Sequence, residues 1–352
     1  MTGIRQLADH LELSIGTVSR ALNGRPGVHP ATRERVLQAA RELGYVANQS
    51  GRSLRRGQTN TVGFVVESGH PSNLGGDNFQ FATIDAMNLR LAEHGLDLAI
   101  LPCHSADDPI SFLARTVARG VVDALVLTAT RQQDKRIAFL TRSRMPFLTL
   151  GRSATPGDYP WIDLDFFGVA QDSVARLVAL GHRRIALALP NRDVALAHHY
   201  LDGYRAGLAA ADLPFSSDLV LRVDSSEEGG VALGGLILDH PAAPTAVMVC
   251  SEVTVPGLYN HLASRGLTAG RDLAVIAFRQ SPPLRFLSPP AAGYDLSLRD
   301  LGHELADAVA DLLAARQGHL SERPRTRIWP MTFCDSPSLA PPGRKRGSSS
   351  SS

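Results

Sequence analysis

The sequence predicts an α/β protein in two parts: a small all-α head, and a larger core of two lobes, each a doubly wound parallel sheet. Three observations carry the prediction. Residues 1–45 place apolar side chains at helical spacing. From Thr61 the texture changes to short, nearly continuous apolar runs alternating with amphipathic stretches, the pattern of parallel strands covered by helices on both faces. At least eight such runs follow over about 270 residues, which favours two lobes over one.

In the head, Ile4, Leu7, Ala8 and Leu11 share one helical face, and Ser14 stands as N-cap of a second helix over Ile15–Leu22. The Gly- and Pro-rich stretch Asn23–Pro30 reads as a loop. A third helix, Ala31–Leu43, presents Val36, Leu37, Ala40 and Leu43, and Gly44 stops it. Residues 46–60 are polar and arginine-rich. They form either a flexible linker or a conditional helix around Asn48–Arg56, which Gly51 weakens by up to ~1 kcal/mol relative to Ala.

In the core, the expected strands are Val62–Val66, Asp97–Leu101, Ala124–Leu127, Phe147–Leu150, Arg184–Leu189, Leu219–Val223, Ala246–Cys250 and Ala274–Phe278. The expected helices are Ala82–Glu93, Phe112–Arg119, Ala170–Leu180, His199–Ala210, Gly230–Leu238 and Val255–Arg265. The domains are therefore a head at 1–45, a hinge or linker at 46–60 and a core at 61–340. Within the core we expect a first lobe of about 61–160 and 292–326, and a second of about 161–290 and 327–340. Residues 341–352, PPGRKRGSSSSS, are low-complexity and read as a disordered tail.

Composition narrows the function. Hydrophobic residues make up 44% of the 352, enough for a sizeable core, and the length suggests two or three folding units. A net charge of +2 gives no global case for a polyanion partner. Residues 1–60, however, hold nine arginines against four acids, leaving +5 on a short segment. Such local basicity is either the footprint of a phosphate-contacting module or a solvated surface. Cys103, Cys250 and Cys334 lie far apart with no C-x-x-C spacing, which argues against a disulfide framework or a zinc site. MTGIRQLADH lacks the apolar stretch of a signal peptide, and no apolar run approaches the ~20 residues that span a bilayer. The expected compartment is the cytoplasm, with no membrane partner. G-x-G-x-x-G, G-K-[ST], G-x-S-x-G and H-E-x-x-H are all missing, which argues against an enzyme. His198 and His199 are adjacent and do not share a helix face, so a joint metal site is not expected. No catalytic residue, metal or cofactor is predicted.

The informative stretch is IRQLADHLELSIGTVSRALNG, residues 4–24. Ala8 is small where two helices must approach. Val18 faces inward, leaving Ile15, Gly16, Ser19 and Arg20 near the exposed face. This is helix-turn-helix geometry, whose second helix enters the major groove. The segments LADHLELSIGTVSRALN, VHPATRERVLQAARELGY and NQSGRSLR, followed by GHRRIAL, GYRAGL, PTAVMVC and DLAVIAF in the core, resemble the LacI/GalR family of bacterial regulators. The resemblance covers about residues 2–335 and implies a core like the periplasmic sugar-binding proteins, with a ligand cleft between its lobes.

The resemblance also implies roles. Ser14, Thr17, Ser19 and Asn23 match phosphate-contact or capping positions, and His29, Thr32, Tyr45 and Asn48 match further backbone contacts, which position without specifying. Ile15, Gly16 and Arg20 match the positions that read base edges, and Arg20 could donate a bidentate pair to a guanine. Leu54 matches a leucine that wedges into the minor groove. Arg33→Ala should weaken all sequences about equally if Arg33 meets only phosphate. The implied partners are pseudo-palindromic double-stranded operator DNA, a second copy of the chain and a carbohydrate effector; the implied role is repression. Three departures matter. Glu12 stands in the turn where the family usually places Gly or Asn. Ile15 and Gly16 replace a pair that is often polar, and Gly51 replaces a usual Ala.

Effector contacts are expected just beyond strand ends. The candidates are Asn78, Phe79, Gln80, Asp165, Tyr200, Asp224 and Arg279. Phe79 and Tyr200 either stack on an apolar ligand face or pack in the core. Arg279 stands where sugar-binding relatives often carry an aspartate, and a guanidinium only donates. Either the ligand is anionic or acceptor-rich, or Asp165 and Asp224 take the hydroxyl contacts, or Arg279 pairs with a neighbouring acid.

Overall fold

The computed structural model describes residues 4–22, 24–45, 58–67, 79–316 and 325–343. The expected hinge helix, with Asn48, Gly51 and Leu54, lies outside the described residues, as do Asn23, Asn78 and the tail beyond residue 343. The chain divides into two units, Met1–Thr59 and Asn60–Ser352.

The head contains α1 (Ile4–Leu11), α2 (Ile15–Leu22) and α3 (Pro30–Glu42). Leu7, Val18 and Val36 meet at its centre, and Ala8, Ala21, Ala39 and Ala40 let the helices close around them. Glu12 ends α1 with φ of 54°, so that Leu13 N–H can reach the Ala8 carbonyl at 3.0 Å. Ser14 caps α2 as expected: Thr17 N–H donates to its Oγ at 3.1 Å. Pro30 opens α3, where its missing N–H costs nothing.

The core holds two parallel sheets. The first runs in the order β11 (Thr326–Trp329), β5 (Trp161–Leu164), β4 (Phe147–Leu150), β3 (Ala124–Leu127), β1 (Thr61–Glu67), β2 (Asp97–Cys103). The second runs β7 (Val220–Val223), β6 (Ile185–Pro190), β8 (Ala246–Val249), β9 (Ala274–Ala277). β3, β6, β8 and β9 are buried along their whole lengths, as strands covered on both faces must be. A short antiparallel pair, β10 (Gly293–Asp295) and β12 (Thr332–Cys334), joins the second sheet through a bridge between Ile276 and Ala292.

Helices cover the sheets: α4 (Phe79–Glu93), α5 (Pro109–Arg119), α6 (Lys135–Ser143), α7 (Phe166–Ala179), α8 (Ala195–Ala210), α9 (Glu227–Leu238), α10 (Val255–Ser264) and α11 (Leu298–Arg316). α9 and α10 touch backbone to backbone. A Cβ on Gly230 would lie 1.9 Å from the Thr254 carbonyl oxygen, and one on Gly257 would lie 1.8 Å from that of Glu227.

Three expectations need correction. The sequence places Trp161–Leu164 in the second lobe, but it hydrogen-bonds to β4 in the first sheet, with Thr149 opposite Trp161. β11 in turn pairs with β5, so residues 327–329 also belong to the first lobe. Conversely, Ala292 and β10 attach to the second. The chain therefore crosses between lobes after Leu164, after β10 and after Trp329. Finally, α6 and α11 were not among the expected helices, although Leu301, Leu305, Ala308 and Val309 recur at helical spacing and are buried. Residues 335–340 lie along the second lobe, where Ser338, fully buried, donates to the Val275 carbonyl at 2.7 Å.

Candidate functional site

α2 is held from one side and open on the other. Val18 and Ala21 are buried in the head, whereas Ser14, Ile15, Gly16 and Arg20 are exposed. Ile15 remains 44% exposed, so its side chain is available on the open face of α2. Ser14 Oγ and Thr17 Oγ1 lie 2.8 Å apart, which fixes two hydroxyls at the N-terminus of α2. Ser19 and Thr32 are half-buried, His29 is exposed at the start of α3, and Tyr45 packs against the edge of the head's core. Arg33 Nη2 donates to the Arg25 carbonyl at 2.6 Å, so it braces the loop between α2 and α3.

In the core, a cleft of about 470 Å³ opens between the lobes at the carboxyl ends of the strands. Glu67 ends β1, Thr128 follows β3, Cys250 follows β8, and Phe278 and Arg279 follow β9. The lobes also touch directly, since Ala195 N–H in the second donates to the Thr130 carbonyl in the first at 2.8 Å.

Of the predicted effector residues, Phe79, Gln80 and Arg279 line the cleft. Asp165, Tyr200 and Asp224 do not. Asp165 caps α7 by accepting from Gly168 N–H at 2.8 Å, because the residue after a strand is also the first before a helix. Tyr200 is fully buried behind the wall, edge-on to Phe278 with ring centroids 5.8 Å apart, while Phe278 stacks on Phe166 at 4.1 Å. Asp224 is exposed and accepts from Asn191 at 3.1 Å. Sequence reasoning missed Glu67, Arg131, Arg192 and Glu252, all on the cleft wall. A charged residue directly after an apolar strand run was the available signal for Glu67.

Among apolar neighbours, the charged side chains of the wall stand in acid–base pairs. Arg279, 4% exposed, donates from Nε to Glu252 Oε1 at 2.7 Å, and its guanidinium lies 5.2 Å from the centre of the Phe79 ring. Of the three alternatives for Arg279, the structure thus realises pairing with a neighbouring acid. Opposite, Glu67 accepts from Arg131 Nη2 at 3.1 Å and from Arg136 Nη1 at 2.8 Å, and Arg192 Nη2 of the second lobe stands 3.6 Å from its other oxygen. Arg136 is buried and is held by Asp134 and the carbonyls of Thr128 and Ala129. Burial alone would raise the Asp134 carboxyl; the Arg136 guanidinium outweighs it and keeps that carboxyl below its ordinary range.

Behind the cleft, burial pushes the β5 carboxyl of Asp163 up to about 7, against the pull of Arg152, whose Nε lies 3.7 Å away. Among the described residues, no group of three or more His, Cys, Asp or Glu side chains could hold a metal ion, and no helix is long and apolar enough to cross a membrane.

Comparison with known proteins meets this geometry at both ends. Residues 4–48 match the bacterial regulatory proteins of the lacI family, and residues 174–333 match a periplasmic binding protein-like domain. Over 309 residues the chain is 33% identical to the HTH-type transcriptional regulator AglR of Rhizobium meliloti (strain 1021), covering 86% of this chain and 85% of that protein. The chain belongs to the lacI family of bacterial regulatory proteins. As a lacI-family member it is a DNA-binding transcriptional regulator, with a helix-turn-helix head and a two-lobed α/β core. Among solved structures, a transcriptional regulator CelR–cellobiose complex is similar at 25% identity and a TM-score of 0.72, covering 96% of this chain and 100% of that one. A lac repressor dimer bound to operator and the anti-inducer ONPF shares the fold, with a TM-score of 0.82 at 21% identity over 96% of this chain and 99% of that one.

Proposed function

We propose that this lacI-family regulator is a repressor that binds a pseudo-palindromic operator as a homodimer, and that a neutral saccharide in the interlobe cleft changes its operator affinity. In this reading Ile15, Gly16 and Arg20 read base edges, while Ser14, Thr17, Ser19, His29, Thr32 and Tyr45, joined by Asn23 and Asn48, meet the sugar-phosphate backbone, and Leu54 wedges into the minor groove. Phe79, Gln80 and Arg279 contact the effector, together with Glu67, Arg131, Arg192 and Glu252. The chain works by binding rather than catalysis, in the compartment that holds the chromosome, the cytoplasm.

The observation that carries the effector class is the pairing of charges on the wall: Arg279 with Glu252, and Glu67 with Arg131 and Arg136. Paired carboxylates and guanidiniums offer fixed acceptors and donors to hydroxyl groups without demanding net charge on the ligand. Phe79 adds an apolar surface. The volume of about 470 Å³ falls within the range of small-molecule sites and suits an effector larger than one sugar ring. The similar CelR structure was solved with cellobiose. The test is a panel of neutral mono- and disaccharides titrated into the intact protein, read beside binding of a duplex selected from random sequence. At least one sugar should bind and alter duplex affinity. Binding without any such change would refute the regulatory role of the cleft.

A further inference from the structure

We propose that Glu67 is a built-in counter-anion: a tethered carboxylate that occupies an arginine-built anion site and so makes the cleft reject acidic effectors. The inference rests on the reading of the cleft as the effector site, and deepens it by naming the residue that sets ligand charge.

One carboxylate lies between three guanidiniums. Arg136 Nη1 is 2.8 Å from it, Arg131 Nη2 is 3.1 and 3.2 Å from its two oxygens, and Arg192 Nη2 is 3.6 Å away. Guanidiniums gathered in this way are what a receptor for a carboxylate or phosphate presents. Here the position is filled from within. Arg136 cannot retreat: its side chain is 1% exposed and is fixed by Asp134 and two backbone carbonyls. Asp134 balances Arg136 from behind, which leaves Glu67 as the acid facing Arg131 and Arg192. The other acid beside Arg192, Asp193, accepts from His198 at 2.6 Å.

A ligand carboxylate or phosphate would have to displace a group held at high effective concentration, and would carry its own charge to within a few ångströms of Glu67. Neutral hydroxyls meet neither obstacle. Arg279, also on the wall, is paired with Glu252 in the same way, so among the described residues this guanidinium too already faces a carboxylate. Glu67, Arg131 and Arg136 belong to the first lobe and pair within it, whereas Arg192 comes from the second, so the third guanidinium is supplied across the cleft.

The test uses the intact protein, with inorganic phosphate, glucuronate and methyl glucoside as probes, titrated calorimetrically at low ionic strength. Wild type should give no saturable binding of phosphate or glucuronate. Glu67→Gln, which keeps the shape and removes the charge, should bind at least one of these anions about tenfold or more tighter than wild type, and adding Arg192→Ala should remove most of the gain. Glu67→Ala serves if the first variant melts early. Wild type binding either anion well would overturn the proposal, as would a folded Glu67→Gln or Glu67→Ala protein with no gain. A gain that survives Arg192→Ala, Arg131→Ala and both together would also overturn it. Should the anion gain appear as described while no neutral sugar binds wild type, the counter-anion role stands and the carbohydrate reading of the cleft falls.

Discussion

Arg20 is exposed on the same face of α2 as Ile15 and Gly16, and contributes nothing to the packing of Val18 and Ala21 beneath it. Arg20→Ala should therefore leave the head folded and relax base preference at one position of each half-site by about 1–3 kcal/mol, measured by selection from random duplexes. Arg33 is no clean phosphate control, since its bond to the Arg25 carbonyl shapes a loop. Asp163 makes a prediction of another kind. Burial raises its carboxyl to about 7, whereas an unfolded aspartate titrates near about 3.9. Between those values the folded chain holds a proton that the unfolded chain has lost, so stability from this group falls as pH climbs through the window and levels off above 7. Asp163→Asn should raise the melting temperature at pH about 8, and the gain should shrink towards pH about 4. Single residues were legible where one chain position decides the role. Arg279, just past β9, and Phe79 and Gln80, which open α4, line the cleft, the location expected of them; their contact with an effector is a proposal. Asp165 was misread because a strand end and a helix cap coincide there. The Glu67–Arg192 approach joins residues of separate lobes, and no local pattern announces it.

At the scale of elements, the turn between α1 and α2 holds Glu12 at φ of 54°, a conformation that favours Gly or Asn. Glu12→Asn should stabilise the head by roughly 0.5–1 kcal/mol, read as slower amide exchange at Val18 and Val36 in the intact protein. The α9–α10 contact is the opposite case. Its glycines are required by proximity, because a methyl on Gly230 would strike the Thr254 carbonyl oxygen 1.9 Å away. Gly230→Ala should cost about 3 kcal/mol or more and lower the melting temperature of the core. Most strands and helices could be read from the alternation of short apolar runs, such as VGFVV, ALVL and AVMV, with amphipathic stretches. β5 and β11 were harder: WIDL and TRIW are four residues long and partly polar, and only their pairing assigns them to the first sheet. That is why the lobe boundary was misplaced by a strand.

For the whole molecule, the head and the cleft communicate only insofar as the effector binds two arrangements of the lobes unequally. Linkage is then reciprocal: a saccharide that weakens operator binding by about tenfold must itself bind about tenfold more weakly to the operator complex. Calorimetric titration of the sugar with and without duplex checks this, and an unchanged sugar affinity in the presence of duplex would show that the cleft and the head are not coupled. The interleaved connectivity of the core has a consequence for biosynthesis. β5 emerges from the ribosome long before β11, its neighbour in the first sheet. Until β11 is translated, the outer row of amides and carbonyls on β5 is an open template for strands of other nascent chains. Rapid overproduction should therefore favour inclusion bodies, and slower translation should favour soluble yield.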